Sequence, residues 1–178
     1  MDKLSILNKI DSPLIFDNFL DERTFSNIQN IFFNPELFPW FINHSVTGNK
    51  EDKDYYLTHI LYIDYKPNSN MFDVIFPVIQ KLNPLALIRV KANWYPPTDS
   101  IVEHQYHRDR EFDHCGAIYY LNTNNGKTIF SNGLEVDSVE NRLLLFNPHE
   151  MHKSTTSSDN SIGRYNINMN FLGLTNLP

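Results

Sequence analysis

The sequence predicts a mostly β chain of the α+β kind, a two-sheet jelly roll with N-terminal helices packed on one sheet. Three observations predict it. From residue 85 onward short apolar or alternating runs recur between turn residues, at 86–95, 101–107, 116–122, 127–130, 134–136, 142–146, 151–156 and 164–172. That many short strands with turn signals between them suit a sandwich of two sheets. Ahead of them lie two segments with apolar residues at helical spacing, which can cover a sheet's outer face. Two of the strand runs also alternate in period two, the pattern of a strand with two different faces.

The elements follow in order. Leu14-Ile15-Phe16 after Pro13 reads as a short strand, and Asp17-Asn18 as its turn. Asp21 caps a helix through roughly Phe33, with Phe25, Ile28, Ile31 and Phe32 on one side. Pro35 and Pro39 break it. A polar loop is expected over 43–54, a strand over Leu57–Tyr65, and a second helix over Met71–Leu82 that Asn83-Pro84 ends. The eight strands then complete the chain. At 178 residues without a linker or repeat, the expectation is one domain over 1–178. Its helical prelude spans about 1–84 and its jelly-roll core about 85–173.

Composition removes several function classes. Cys115 is the single cysteine, so no internal disulfide forms, and a zinc finger is excluded. The net charge is −6 and no basic block occurs, so nucleic acid is not an expected partner. No apolar stretch reaches membrane-spanning length and the N-terminus lacks a signal-peptide pattern, so a cytoplasmic location is expected.

The chemistry-bearing residues sit in the strand region. In His107-Arg108-Asp109 an extended chain would point the imidazole and the carboxylate to the same side. His152, on a later run, supplies a third donor. Two histidines and one carboxylate form the facial triad of non-heme iron(II) oxygenases, with coordination positions left open. The tripeptide alone is common and weak as a signal. Gly163-Arg164-Tyr165-Asn166-Ile167-Asn168-Met169-Asn170-Phe171 adds to it. Arg164, Asn166, Asn168 and Asn170 share one face, and an inward Arg164 would grip a carboxylate with its planar fork. Ile88–Tyr95 is two-faced in the same way, with Arg89, Lys91, Asn93 and Tyr95 together. His44, His59, His104 and His114 are expected to be structural or exposed.

These segments, in this order, resemble the prolyl 4-hydroxylase-like branch of the 2-oxoglutarate/Fe(II)-dependent dioxygenases. The resemblance runs from Asn93-Trp94-Tyr95-Pro96 through His107-Arg108-Asp109, Ala117-Ile118-Tyr119-Tyr120-Leu121-Asn122 and Leu143-Leu144-Leu145-Phe146-Asn147-Pro148 to His152 and Arg164. It covers the C-terminal half; Ile15–Leu20 followed by a helix is also similar to the start of many members. It implies a double-stranded β-helix, the jelly roll under another name. It implies iron held by His107, Asp109 and His152, and the far carboxylate of 2-oxoglutarate held by Arg164. Tyr120 and Tyr95 fall on cosubstrate tyrosines, Asn168 would line the pocket, and Thr128 stands where members often carry a Gly-Gly-x-Thr segment. Here Asn125-Gly126-Lys127-Thr128 has one glycine of the two. The implied reaction consumes O2 and 2-oxoglutarate, releases succinate and CO2, and hydroxylates an unactivated C–H bond. A protein, peptide or small amino-acid-like substrate is expected, with a prolyl residue among the candidates.

His149 competes with His152 for the third position. It directly follows Asn147-Pro148, where a turn is expected, whereas His152 opens an extended run and has the family's spacing to Arg164. The alternative function is a catalytically inactive jelly roll that binds a metal or ligand or acts in an interaction. Substrate loops are expected at 43–54 and 97–104.

Overall fold

The computed structural model of the chain describes residues 10, 12–44, 55–159 and 161–178, so most of the loop expected at 43–54 lies outside the described residues. The fold is mostly β. Its strands are β1 (Leu14–Phe16), β2 (Phe41–Asn43), β3 (Tyr56–Ile63), β4 (Lys66–Pro67), β5 (Pro84–Tyr95), β6 (Cys115–Tyr120), β7 (Asn124–Phe130), β8 (Glu135–Ser138), β9 (Arg142–Phe146), β10 (His152–Ser154) and β11 (Arg164–Leu174). The larger sheet runs β1-β9-β6-β11-β5-β3-β2, with β4 beside β3, and the smaller one β10-β7-β8. The described pairings are antiparallel.

Helix α1 (Glu22–Phe33) starts as the sequence reading expects, with the Asp21 carboxylate accepting from the Thr24 N–H at 3.0 Å. It buries Phe25, Ile28 and Phe32. The second helix differs from expectation. Residues Asn70–Ile75 wind as a 3-10 turn capped by Ser69, and only Phe76–Leu82 is α-helical (α2). Pro77 explains the division: it lacks an N–H and fits the first turn of a helix but not its interior. Asn83 then ends α2 in the left-handed region, φ 51°. The strands expected in the prelude at Leu14–Phe16 and Leu57–Tyr65 form as β1 and β3, and with β2 they join the larger sheet.

Both helices pack on the outer face of the larger sheet. Their apolar residues meet Val90 and Ala92 of β5, Ala117 and Tyr119 of β6, Leu143 and Leu145 of β9, and Tyr165, Ile167, Met169 and Phe171 of β11. A smaller apolar cluster of Ile118, Tyr120, Phe130, Val136, Leu144 and Phe146 lies between the sheets. β11 runs between β6 and β5, so its Arg164, Asn166, Asn168 and Asn170 face the space between sheets and not water. No helix of the described residues is long and apolar enough to cross a membrane.

Asn141 fixes the N-terminal segment to this frame. It takes φ 56° at the tight turn before β9. Its side chain accepts from Leu20 N–H at 2.9 Å and from the Tyr119 hydroxyl at 2.7 Å, and donates to Leu20 O at 2.8 Å. Asn141→Ala leaves these buried groups unmatched. It should cost about 2–4 kcal/mol, since each unsatisfied buried group costs about 1–3 kcal/mol. Urea unfolding of the variant checks this; an unchanged midpoint would remove Asn141 from that role.

Candidate metal centre

The His107 and His152 backbones bond to each other both ways, His107 N–H to His152 O at 2.9 Å and the reverse at 3.0 Å. Their rings lie 4.7 Å apart between centroids. The expected strand at 101–107 is not formed as such. Glu103 faces Thr155 and His107 faces His152, so the first segment has one more residue between the two bridges than β10 does. That extra residue breaks the regular ladder, as a bulge does. After His107 the chain turns, and Asp109 N–H bonds Pro148 O at 3.3 Å. The Asp109 carboxylate thereby comes to 3.9 Å from His107 Nε2. One donor atom from each of His107, Asp109 and His152 lies within 4.8 Å of the others. The convergence matches the sequence reading, but a bulge and a turn cause it, not a shared strand face.

His149 stays outside this cluster. Its N–H is bound by the Asn147 side chain at 3.0 Å in the turn after β9.

The cluster's electrostatics suit a cation. Burial by itself would raise the Asp109 pKa, but the charge of Arg89 overrides it, helped by His152 and by the Asn170 amide. Arg89 lies at 3.3 Å from Oδ1, while Asn168 and Asn170 donate to Oδ2 at 3.2 and 2.8 Å. The carboxyl is therefore held well below its usual range. Burial, then the adjacent His152, push the His107 pKa down to about 4 against the pull of Asp109. His107 is neutral at pH 7 and keeps a ring lone pair. His152 Nδ1 lies 2.9 Å from Glu150 O, an oxygen that only accepts, so the proton sits on Nδ1 and Nε2 is left as donor.

Arg164 lies in the same cavity at 0% exposure. Its Nε donates to Ser138 Oγ at 2.7 Å, Nη1 to Thr155 O at 3.2 Å and Nη2 to Thr128 Oγ1 at 3.0 Å. The guanidinium lies 5.4 and 5.6 Å from the Tyr95 and Tyr120 ring centroids. Among the described residues it has no carboxylate partner. Burial raises the pKa of both tyrosines, which remain neutral hydroxyls. Tyr120 and Thr128 share a hydrogen bond at 2.8 Å. Gly126 is the glycine this packing requires, since a Cβ there would meet Arg164 Cδ and Thr156 O at 2.7 Å each.

Seven of the eight residues named from the sequence line one cavity, and the eighth, Tyr120, lies behind it against Thr128 and Arg164. Asn168 lines it as expected, yet its amide is committed to Asp109. The roles of Arg89, Asn170 and Ser138 escaped sequence reasoning. Arg89 and Asn170 carried a signal, their place on the polar faces of β5 and β11; Ser138 carried none. Of the other histidines, His59, His104 and His114 are buried and bonded to Pro39 O, Ser154 Oγ and Phe112 O.

No protein-family model matches the sequence, and no curated protein matches it. Solved structures do. A prolyl-4-hydroxylase from Pseudomonas putida is 14% identical, with 90% of this chain and 92% of that one covered at a TM-score of 0.58. A Trichoplax adhaerens prolyl hydroxylase, in complex with a hypoxia inducible factor oxygen degradation domain peptide fragment, is 15% identical, with coverage of 91% and 84% and a TM-score of 0.60. An oxidoreductase of the 2OG-Fe(II) oxygenase family from Burkholderia pseudomallei is 10% identical, with coverage of 94% and 89% and a TM-score of 0.65. The chain therefore has the jelly-roll fold of the 2-oxoglutarate/Fe(II) oxygenase structures, the double-stranded β-helix.

Proposed function

We propose that the chain, as one domain over 1–178, is an iron(II)- and 2-oxoglutarate-dependent oxygenase that hydroxylates an unactivated C–H bond. The substrate class is peptidyl or amino-acid-like, and the expected location is the cytoplasm. The observation that carries the reading is the buried Arg164, without a carboxylate partner among the described residues, in one cavity with His107, Asp109 and His152. A buried cation of this kind is costly unless an anion meets it. The likeness in fold to prolyl hydroxylases supports the same reading.

The residues fit the group they would hold. His107, Asp109 and His152 offer two imidazoles and an ionised carboxylate, the donor set of non-heme iron(II) sites. Arg164 carries five N–H groups, of which Ser138, Thr155 and Thr128 take three, and its guanidinium edge would pair with the far carboxylate of 2-oxoglutarate. Tyr95 and Tyr120 flank that guanidinium, and Thr128 and Ser138 fix its plane. Asn168, Asn170 and Arg89 orient Asp109 and keep it ionised. When bound, iron and 2-oxoglutarate would supply O2 activation, with succinate and CO2 released and a C–H bond converted to C–OH. The protein's share is orientation and the exclusion of water.

Anaerobic addition of iron(II) and then 2-oxoglutarate should give the weak visible charge-transfer band of a chelated ketoacid, at one iron per chain. Colourless protein without iron affinity would sink the oxygenase reading. Arg164→Ala should weaken 2-oxoglutarate binding by on the order of 3–5 kcal/mol with little loss of iron. Arg164→Lys should keep part of the affinity, because it keeps the charge without the fork. An unchanged cosubstrate dissociation constant in Arg164→Ala would take the anchor away from Arg164. His152→Ala should abolish iron binding and succinate formation, whereas His149→Ala should leave both largely intact. The opposite pattern in paired metal-content assays would move the third ligand to His149.

A further inference from the structure

The cavity contains one cation more than this reading uses. Lys91 lies on β5 between Arg89 and Asn93, on the face that also carries Tyr95, and lines the cavity with the metal cluster. Its Nζ donates to the Tyr56 hydroxyl at 3.1 Å, and among the described residues it has no carboxylate partner. Tyr56 belongs to β3 and is bound in turn by Asn43 of β2 at 3.3 Å. The two unpartnered cations thus lean apart. Arg164 reaches across to Thr128 and Ser138 of the smaller sheet, and Lys91 leans sideways along the larger sheet toward β3 and β2.

Charge counting separates their tasks. 2-Oxoglutarate has two carboxylates, one matched to Arg164 and one to the metal. The metal's two charges, Asp109 and Arg164 then balance that dianion. Arg89 and Lys91 remain in excess, and Arg89 already lies against Asp109. Among the described residues Lys91 is the cation still lacking an anion. Burial, with the nearby charge of Arg89, pushes its pKa down and so disfavours the ammonium, and an incoming carboxylate would restore that charged form.

Resting on the proposed function, we propose that Lys91 anchors a carboxylate of the substrate to be oxidised, so that the substrate is a small carboxylic acid. An ammonium recessed in the wall of the cavity that His107, Asp109 and His152 also line suits the carboxylate of a small acid. Lys91 then determines specificity through charge, and neutral amides are rejected because their carbonyl leaves the ammonium buried without an anion.

The test uses full-length protein loaded anaerobically with iron(II) and 2-oxoglutarate, with acetate as probe and acetamide as its neutral counterpart. Acetate should perturb the visible band and bind in the millimolar range; acetamide should not. Lys91→Met should weaken acetate binding by about tenfold or more while 2-oxoglutarate affinity stays within about twofold, and Lys91→Arg should restore the acetate response. A thermal melt of each variant confirms that it folds, and the wild-type comparison of the two probes needs no variant. The proposal is overturned if acetate is silent on the wild type, if acetamide acts equally, or if Lys91→Met still responds. It is also overturned if Lys91→Met loses 2-oxoglutarate itself, which would assign Lys91 to the cosubstrate. Absence of the band before any acetate is added would instead be failure of the oxygenase reading.

Discussion

Burial of the Arg164 guanidinium constrains much of the rest of the structure. A lone buried charge costs several kcal/mol even after the protein relaxes around it. The chain offsets part of that with Ser138, Thr128, Thr155 O and two aromatic faces. Each partner comes from a different place: β8, β7, the segment after β10, β5 and β6. The cation therefore joins the two sheets at one point. It also accounts for Gly126, where the Arg164 stem runs too close for any side chain. A single glycine suffices for this contact, so the missing second glycine of the family segment does not disturb the arginine's seat.

A strand with polar residues on one face normally turns that face to water. β11 does not, because β6 and β5 flank it and the smaller sheet lies over its polar side. The helices cover the opposite face with Tyr165, Ile167, Met169 and Phe171. The strand is thus buried on both sides, and its asparagines find partners inside. Asn166 accepts from Asn93 at 2.9 Å, and Asn168 and Asn170 donate to Asp109. Asp109 takes the amide donors at the ladder's far end, whereas Asn93 Oδ1 and Asn170 Oδ1 find no partner among the described residues.

Much of this was legible in the sequence. Period-two alternation placed Arg164, Asn166, Asn168 and Asn170 on one face, and the caps and prolines marked α1 and its end. The resemblance supplied what periodicity does not, namely which polar face points inward. Two kinds of feature stayed hidden. Pro77 divided the second helical segment into a 3-10 turn and a short helix, a local effect that outweighed the longer apolar pattern. The bulge beside β10 replaced the expected strand at 101–107, and bulges carry no composition signal unless glycine makes them. Long-range partners such as Ser138, 26 residues before Arg164, have no signature in sequence.

The surroundings of Asp109 show how a site can be preorganised and still remain open. Two amides hold Oδ2, at 2.8 and 3.2 Å, and so fix the carboxylate plane. Oδ1, the oxygen nearer His107, has only the Arg89 contact at 3.3 Å, long for a charge-assisted bond. The oxygen that faces the two histidines is thus the less tightly held of the pair. A divalent cation bound there would have one long contact to displace and would leave the two amides in place. Arg89 consequently stabilises the ionised carboxylate without filling the cluster, and the same guanidinium's charge helps push the Lys91 pKa down. The geometry of Asp109 and the excess charge beside it follow from one placement, that of Arg89 opposite Asn170 in the β5–β11 register.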